Sequence, residues 1–473
     1  MVSFFLAFIS GVVLSGAFAP LNWWFLLPIS IAIFLYAVTK TSKPFTTSFI
    51  FAFVFNYLTL RWSGTYVGLL PVIFLVSLQS LFYLLLGFVS FKRNRYSRVW
   101  LILPLMLIAD EVRSLVPFGG FGWNRLSFSQ ADAPYVSIAS FLGDTALAFL
   151  GISLGVSLYL LFARAQLLSV AIIAATTTLI IFIPTPALNQ GSMNILGIQG
   201  NVPRLGLNFN SRAEEVFNFH LKETDIALRK TKIKPDLILW PENSVDIDPF
   251  FNQQLGQKIT DLASKQKTPV IVGAVLKSPQ GPTNASVMWS SDGEVVSKYV
   301  KRTLTPFGEY IPARSIANVV SPFTDDVVDF VPGKKIVLHK VGQIKIAPII
   351  CYEIIDDSAV SSISKNADLI VMQTNNATFA DSGQSMQQLN ITRIRAVENN
   401  KWIVSVSTTG VSAIIDNMGN IQQITKQNEP SFVSGDVELN SKVSIANRLG
   451  EWTSFICIIF ALAIYLGKRR RNA

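Results

Sequence analysis

The sequence predicts a chain of two parts, a multi-pass α-helical membrane domain and a layered α/β domain. Half of the 473 residues are hydrophobic and 15% are charged, and the mean hydropathy is +0.42. These values exclude an ordinary soluble protein. Residues 1–185 consist of apolar runs, residues 190–445 have a globular composition, and residues 453–467 are apolar again. We therefore expect a membrane domain, a soluble domain that buries its own core, and a closing membrane helix.

The apolar runs predict about eight transmembrane helices, because a helix needs roughly 20 residues to cross a bilayer. They lie at residues 4–19, 24–39, 45–60, 68–91, 98–116, 135–162, 166–184 and 453–467. Residues 17–19 (Ala-Phe-Ala) resemble a signal cleavage site, but no Lys or Arg precedes the first run and Pro20 would follow the cut. We expect a first helix that is retained.

Basic residues in the short loops predict the orientation of the chain. If the N-terminus is cytoplasmic, the inner loops and the tail hold eleven: Lys40, Lys43, Lys92, Arg93, Arg95, Arg98, Arg164, Lys468, Arg469, Arg470 and Arg471. The outer short loops hold three: Arg61, Arg113 and Arg125. Positive residues favour the cytoplasmic side, so the large domain is expected outside the cytoplasm. The net charge of +10 is then mostly a topological effect, and no nucleic-acid partner is expected.

Within residues 190–445, β-rich runs alternate with amphipathic ones. Strands are predicted at residues 194–199, 236–240, 269–275, 286–290, 345–350, 368–373 and 402–407, and helices at residues 211–231, 252–265 and 385–399. This alternation is typical of an α/β fold with buried sheets.

Cys351 is the first candidate for chemistry. It closes a predicted buried strand and precedes Tyr352 and Glu353, while the only other cysteine, Cys457, lies in the C-terminal apolar run. A disulfide between the two is not expected. The position fits a thiol nucleophile, and the alternative is a small core residue.

Glu242 and Lys301 follow two other predicted strands. Glu242 comes just after an apolar strand that ends in Trp-Pro, where a partly desolvated carboxylate can act as a general base. Lys301 ends an alternating strand and precedes the turn at residues 306–309 (Pro-Phe-Gly-Glu). It can stabilise an oxyanion or hold a neighbouring carboxylate. The alternatives are a solvated loop glutamate and an ordinary surface lysine.

These segments together resemble a known superfamily. Residues 240–242 (Trp-Pro-Glu), Lys301 with residues 306–309, and residues 351–353 (Cys-Tyr-Glu) are similar to the Glu-Lys-Cys motifs of carbon–nitrogen hydrolases, the nitrilase superfamily. The resemblance implies a nitrilase-like αββα sandwich for residues 190–445.

Three more segments resemble the apolipoprotein N-acyltransferase family, bacterial inner-membrane enzymes that finish lipoprotein maturation. They are residues 17–20 (Ala-Phe-Ala-Pro), residues 120–123 (Gly-Phe-Gly-Trp) with residues 129–130 (Ser-Gln), and residues 198–203 (Ile-Gln-Gly-Asn-Val-Pro). This resemblance covers nearly the whole chain, including the order of its membrane and soluble parts.

The resemblance implies the roles of the candidate residues. Glu242 is the expected base, Lys301 the expected oxyanion-stabilising group, and Cys351 the expected nucleophile. The expected positioning or substrate-contact residues are Glu309, Tyr352, Glu353, Phe307 and Phe379. Of these, Glu309 and Glu353 are expected to orient Lys301 and shape the pocket, and the Tyr352 N–H is expected to share the oxyanion. The two phenylalanines are expected to form a lipid-facing lid or plain core.

The implied reaction transfers a fatty acyl chain from a membrane phospholipid, through a cysteine thioester, to the N-terminal amine of the diacylglyceryl-cysteine of apolipoproteins. The expected partners are the phospholipid donor, the apolipoprotein acceptor and the bilayer, and neither a cofactor nor a metal is expected. The expected location is the bacterial cytoplasmic (inner) membrane, with the catalytic domain extracytoplasmic. The alternatives are a membrane-anchored nitrilase-type amidase and an inactive lipid-binding protein of the same fold.

Two segments depart from the family pattern. Many members carry a tryptophan where this chain has residues 205–209, which include Asn208, and another where it has Thr378. Both positions are expected on loops near the site, so contacts with substrate are in doubt there. The departures leave Glu242, Lys301 and Cys351 unchanged.

Overall fold

The computed structural model describes residues 1–65, 68–90, 95–182, 190–202, 213–312, 314–315, 327–379 and 382–470. The chain forms two compact units. The helical unit comprises Met1–Gly64, Gly68–Thr185 and Ile445–Ala473, and the α/β unit comprises Thr65–Val67 and Pro186–Ser444.

The helical unit is built from apolar helices. Its α-helices are Val2–Ser15, Leu26–Lys40, Pro44–Leu60, Leu69–Leu81, Arg95–Arg98, Ile102–Leu115, Ala139–Leu142, Thr145–Phe162, Leu167–Ile181, Ile445–Leu449 and Trp452–Arg470. Within the described residues, three helical segments are long and apolar enough to cross a bilayer, namely Leu69–Ser90, Thr145–Phe162 and Trp452–Arg470. Val2–Ser15 and Leu26–Lys40 are apolar but shorter.

The apolar run at residues 135–162 contains a helix long and apolar enough to cross a bilayer, Thr145–Phe162, but this helix begins at Thr145 and not near residue 135. The chain breaks at Gly143, whose φ of 72° lies in the left-handed region, and the long helix begins at Thr145. Glycine adopts this conformation without a steric cost. The buried Asp144 carboxylate accepts a 2.9 Å hydrogen bond from the Arg125 guanidinium. The length of the apolar run did not indicate that the helix is interrupted at Gly143 and Asp144.

The α/β unit contains two six-stranded sheets. Its strands are β1 (Ser192–Gln199), β2 (Leu237–Leu239), β3 (Val270–Leu276), β4 (Thr283–Trp289), β5 (Val295–Val300), β6 (His339–Val341), β7 (Ile344–Ile350), β8 (Leu369–Thr374), β9 (Ile403–Ser407), β10 (Ala413–Ile415), β11 (Ile421–Ile424) and β12 (Ser431–Glu438). One sheet has the order β12-β1-β2-β3-β4-β5 and the other β11-β10-β9-β8-β7-β6. The central strands β1–β3 and β7–β9 are parallel within each sheet.

The two sheets pack face to face between layers of helices. Ile195 and Leu239 of the first sheet share one buried cluster with Val371 and Val404 of the second. The helices of the unit are Ala213–Lys230, Gln253–Gln266, Asp357–Ser364 and Gln384–Asn399. The first two pack on the outer face of the first sheet, and the last two pack on the second sheet. The order of layers is therefore helix, sheet, sheet, helix, as expected.

The predicted strands and helices of residues 190–445 are present, and the alternating strand before Lys301 is β5. The sequence analysis missed β6, β10, β11, β12 and the helix Asp357–Ser364. β6 and β10 are three residues long, and β11 is largely exposed. Such short or polar segments show no periodic hydrophobic pattern.

Candidate active site

Three strands of the α/β unit deliver the three predicted catalytic side chains to one buried site. Glu242 lies on the loop after β2, Lys301 directly follows β5, and Cys351 directly follows β7. Their exposed fractions are 4%, 1% and 9%. The structure therefore excludes two alternatives that the sequence left open, namely that Glu242 is a solvated loop residue and that Lys301 is an ordinary surface residue. Buried ionisable groups of this kind are frequent at functional sites.

Lys301 lies between two carboxylates. Its Nζ atom is 2.7 Å from Glu309 Oε2 and 3.3 Å from Glu242 Oε1. It also donates a 3.2 Å hydrogen bond to Thr305 Oγ1. An ammonium group has three N–H donors, so these three acceptors fix its position. Glu309 is thus in position to orient Lys301.

Asn284 on β4 bridges the two carboxylates. Its Nδ2 atom donates to Glu242 Oε1 at 2.7 Å and to Glu309 Oε1 at 2.8 Å, while its backbone carbonyl accepts the Lys301 N–H at 2.9 Å. Asn284 was not predicted as a site residue, because it lies outside the strand predicted at residues 286–290. Its buried amide needs such specific partners.

The pKa values of the two glutamates are shifted in opposite directions. Burial raises the pKa of Glu242 above its ordinary value, and Lys301 only partly opposes this effect. Burial also acts on Glu309, but Lys301 and the hydrogen bonds from Asn284 and Thr305 outweigh it, so the pKa of Glu309 is lowered. Glu309 is therefore the fixed counter-ion of Lys301, and Glu242 is the carboxylate suited to exchange a proton.

Cys351 occupies a sharp turn between β7 and the 3₁₀ helix Cys351–Ile355. Its φ of 51° lies in the left-handed region, which is uncommon for residues with a side chain. Burial, with the nearby Glu242 carboxylate, raises the pKa of the thiol to about 12. The resting cysteine is thus a neutral thiol, and the Glu242 carboxylate is close enough to act on it electrostatically.

The end of β8 contacts both Cys351 and Glu242. Thr374 Oγ1 is 3.5 Å from Cys351 Sγ, and the N–H of the next residue, Asn375, donates a 2.7 Å hydrogen bond to Glu242 Oε2. Gln388 Nε2 lies 3.9 Å from the same sulfur. None of these three residues was predicted from the sequence. The contact of Asn375 depends on how the two sheets face each other, and the contacts of Thr374 and Gln388 depend on which elements lie beside β7. No local sequence pattern records either arrangement.

The contacts of Glu353 are with donors other than the Lys301 ammonium. Its carboxylate accepts hydrogen bonds from the Ile350 N–H at 2.9 Å, the Arg302 N–H at 2.6 Å and the Tyr299 hydroxyl at 2.8 Å. It therefore ties the turn that carries Cys351 to the chain around Lys301 and does not orient the Lys301 ammonium by direct contact. Tyr352, the other candidate in this turn, is also buried.

The two candidate lid residues have different environments. Phe307 is 53% exposed and has a φ of 61° in the turn between Thr305 and Tyr310, so it is not a core residue. Phe379 ends the 3₁₀ helix Ala377–Phe379 and is partly buried.

The departures from the family pattern cannot be placed structurally. Asn208, with residues 205–209, lies outside the described residues, and so does the side chain of Thr378.

The two histidines contact groups other than Glu242, Lys301 and Cys351. Burial lowers the pKa of His220 to about 4 and that of His339 to about 3. No group of three metal-ligating side chains occurs within the part of the chain that the structure describes.

Comparisons with known proteins identify the families that the chain resembles. Residues 10–157 match the model of the apolipoprotein N-acyltransferase N-terminal domain, and residues 198–446 match that of the carbon-nitrogen hydrolases. An apolipoprotein N-acyltransferase of Mycolicibacterium smegmatis is 30% identical over 96% of this chain and 83% of its own. One from Shewanella oneidensis is 25% identical over 99% and 96%.

Among solved structures, an amidase of the nitrilase superfamily from Nesterenkonia AN1 matches 56% of this chain and 97% of its own, with a TM-score of 0.41 and 15% identity. Two of these matches determine the family of the chain, namely the family-model match over residues 198–446 and the relative from Mycolicibacterium smegmatis. The chain belongs to the apolipoprotein N-acyltransferase family, and its α/β unit is a carbon–nitrogen hydrolase domain.

Proposed function

We propose that this protein transfers a fatty acyl chain from a membrane phospholipid, through a thioester on Cys351, to the N-terminal amine of the diacylglyceryl-cysteine of apolipoproteins. The observation that carries the proposal is the buried cluster of Glu242, Lys301 and Cys351 in a chain of this family. A thiol, a proton acceptor and a fixed cation are the groups that acyl transfer through a thioester needs.

In the first half-reaction, Glu242 takes the proton of Cys351 and the thiolate attacks the carbonyl carbon of the lipid ester. The C–O bond breaks, and Glu242 returns the proton to the departing lysophospholipid. In the second half-reaction, the acceptor amine attacks the thioester and Glu242 removes an amine proton. The C–S bond breaks, and that proton returns to the sulfur. The products are an amide and a free thiol, so the cycle closes.

Lys301 is proposed to stabilise the oxyanion of both tetrahedral intermediates, together with the Tyr352 N–H. Its contact with Glu242 at 3.3 Å is longer than its contact with Glu309 at 2.7 Å. When Glu242 gains a proton it loses its charge, so its attraction for Lys301 weakens. An N–H of Lys301 then becomes free for the oxyanion, while Glu309 still holds the ammonium in place.

The membrane parts are proposed to bring lipid substrates to this site. Residues 1–185 would provide about seven spans and residues 453–467 one more, with the catalytic domain, residues 190–445, on the extracytoplasmic side of the bacterial cytoplasmic membrane. The helix Trp452–Arg470 supports this orientation, because the basic residues of its last turn favour the cytoplasmic side. Phe307, exposed beside the turn that carries Glu309, is a proposed contact for the acyl chain, and Phe379 is a second one.

A labelling experiment separates this function from the amidase alternative. Detergent-solubilised protein is incubated with phospholipid labelled in its acyl chain and then with a diacylglyceryl lipopeptide. We expect label on Cys351 that moves to the lipopeptide amine. Release of the label as free fatty acid alone would support a hydrolase instead, and absence of label from the protein would contradict both enzymes. Cys351→Ser is the inactive control, and Cys457→Ser is the matched cysteine variant.

A further inference from the structure

Thr374, the last residue of β8, has one hydroxyl proton and two acceptors within reach. Its Oγ1 atom lies 3.0 Å from Gln388 Oε1 and 3.5 Å from Cys351 Sγ. A hydroxyl group can donate only one hydrogen bond at a time. The shorter distance and the stronger acceptor both favour Gln388 while Cys351 is a neutral thiol.

Gln388 does not depend on this hydrogen bond. Its Oε1 atom also accepts from Asn376 Nδ2 at 2.7 Å and from Gln384 Nε2 at 3.5 Å. An amide oxygen has two lone pairs, so Gln388 Oε1 keeps a good partner if Thr374 turns away. The same contacts fix the orientation of the amide, because three donors surround one end of it and leave Nε2 directed at Cys351 Sγ, 3.9 Å away.

The side chains beside the Cys351 sulfur are shielded from bulk water. Thr374, Gln388 and Asn376 are each at most 3% exposed. A thiolate formed here must therefore be stabilised by groups of the protein itself, since burial of an unpaired charge is costly. Thr374 Oγ1 is the closest hydroxyl donor that the described residues offer to the sulfur.

We propose that Thr374 is a further catalytic residue, whose hydroxyl donates to Gln388 at rest and rotates to donate to the Cys351 thiolate when Glu242 takes the thiol proton. The Cys351 S–H bond breaks, the proton moves to the Glu242 carboxylate, and the Thr374 hydrogen bond to Gln388 is exchanged for one to Sγ. Gln388 is a positioning residue that receives this hydroxyl between turnovers. The rotation is a change about one side-chain bond and needs no backbone movement.

The proposal rests on the proposed function for its place in acyl transfer, but its test needs no lipid. The rate at which iodoacetamide alkylates Cys351 is measured at fixed pH in full-length Cys457→Ser protein. Thr374→Val removes the hydroxyl and nearly keeps the shape of the side chain. We expect alkylation to slow roughly three- to tenfold, because a less stable thiolate is rarer although more nucleophilic. Acyl-enzyme formation should fall by about ten- to a hundredfold.

Thr374→Ser distinguishes a hydroxyl donor from a packing residue, because it keeps the hydroxyl and removes the methyl group. The proposal expects Thr374→Ser to restore most of both rates. Unchanged alkylation in Thr374→Val would overturn it, and so would equal losses in both variants accompanied by a lower melting temperature. If the protein proves unable to acylate any lipopeptide, the alkylation result still decides whether Thr374 stabilises the thiolate.

Discussion

Lys301 Nζ lies 2.7 Å from Glu309 Oε2, closer than its 3.3 Å contact with Glu242 Oε1. Both buried carboxylates also accept a hydrogen bond from Asn284. In the proposed mechanism, Glu309 compensates the charge of Lys301 throughout the cycle, and Glu242 gains and loses a proton. A buried ammonium with a single carboxylate would lose its counter-ion at the moment that base became protonated.

Substitution of these carboxylates tests the division of labour. Glu242→Gln should remove turnover almost entirely, because no base would remain for the thiol. Glu309→Gln should leave Lys301 less precisely held and slow acyl-enzyme formation by a factor on the order of 10²–10³, similar to the loss of an oxyanion donor. Acyl-enzyme formation is measured by mass spectrometry over time. Equal, mild losses in both variants would show that Glu242 is not the base.

Glu353→Gln should affect stability more than chemistry. The glutamate accepts hydrogen bonds from Tyr299 and from the backbone N–H groups of Ile350 and Arg302. A glutamine offers one oxygen and presents N–H donors to other donors, so a buried group is left unsatisfied. We expect a loss of about 1–3 kcal/mol in the free energy of unfolding, measured by denaturation in detergent. Full stability together with complete loss of acylation would contradict this structural role.

The pKa shifts predict two different pH profiles for one cysteine. The pKa of Cys351 is about 12, so its alkylation by iodoacetamide should rise about tenfold per pH unit between pH 7 and 9. At pH 8 this alkylation should be slower than that of a free cysteine by a factor on the order of a hundred, because the smaller thiolate fraction outweighs the higher nucleophilicity.

Acyl-enzyme formation should instead follow Glu242. Its pKa is raised above 4.5 by burial, and the base acts as a carboxylate, so the rate should fall as the pH drops through that raised value. If Glu242 is already ionised at pH 7, the rate changes little between pH 7 and 9. A rate that follows the alkylation profile across that range would show that free hydroxide, and not Glu242, removes the proton.

The proposed topology can be tested with reporter fusions. Loop charges predict that residues 190–445 lie outside the cytoplasm. Alkaline phosphatase fused after Gln190 should be active, and the same reporter fused after Lys43 should be inactive. If a reporter fused at Gln190 is active only in the cytoplasm, residues 190–445 lie on the cytoplasmic side. The domain could then not reach its proposed lipoprotein substrates.

The sequence was sufficient to name Glu242, Lys301 and Cys351 as candidates, because each follows a strand that an apolar or alternating run reveals and because the segments around them resemble the Glu-Lys-Cys motifs of carbon–nitrogen hydrolases. It was not sufficient for Asn284 or Thr374. Each is one polar residue among many within or at the end of a strand. Their importance arises only when β4 lies beside β5 and when the end of β8 faces the turn after β7. Local periodicity reports which face of a strand is buried, and it does not report which strands become neighbours.

The same limit explains the later start of one helix in the helical unit. Hydropathy located the apolar run but missed the break at Gly143, where the polar Asp144 is buried against Arg125. A charged residue within an apolar run can be buried if a partner from elsewhere in the chain reaches it. The partner lies 19 residues away in the sequence, outside the apolar run, so the hydropathy of the run does not include the reason for the break.

The most direct test of the account is the intact mass of the purified protein after incubation with a phospholipid of defined acyl chain. We predict a mass increase of one acyl group, located on Cys351 by peptide mapping, and its loss when a diacylglyceryl lipopeptide is added, with the same acyl group appearing on the lipopeptide amine. Cys457→Ser should behave like the unaltered protein, and Cys351→Ser should gain no acyl group. Acylation that persists in Cys351→Ser, or that disappears in Cys457→Ser, would contradict the assignment of Cys351 as the nucleophile.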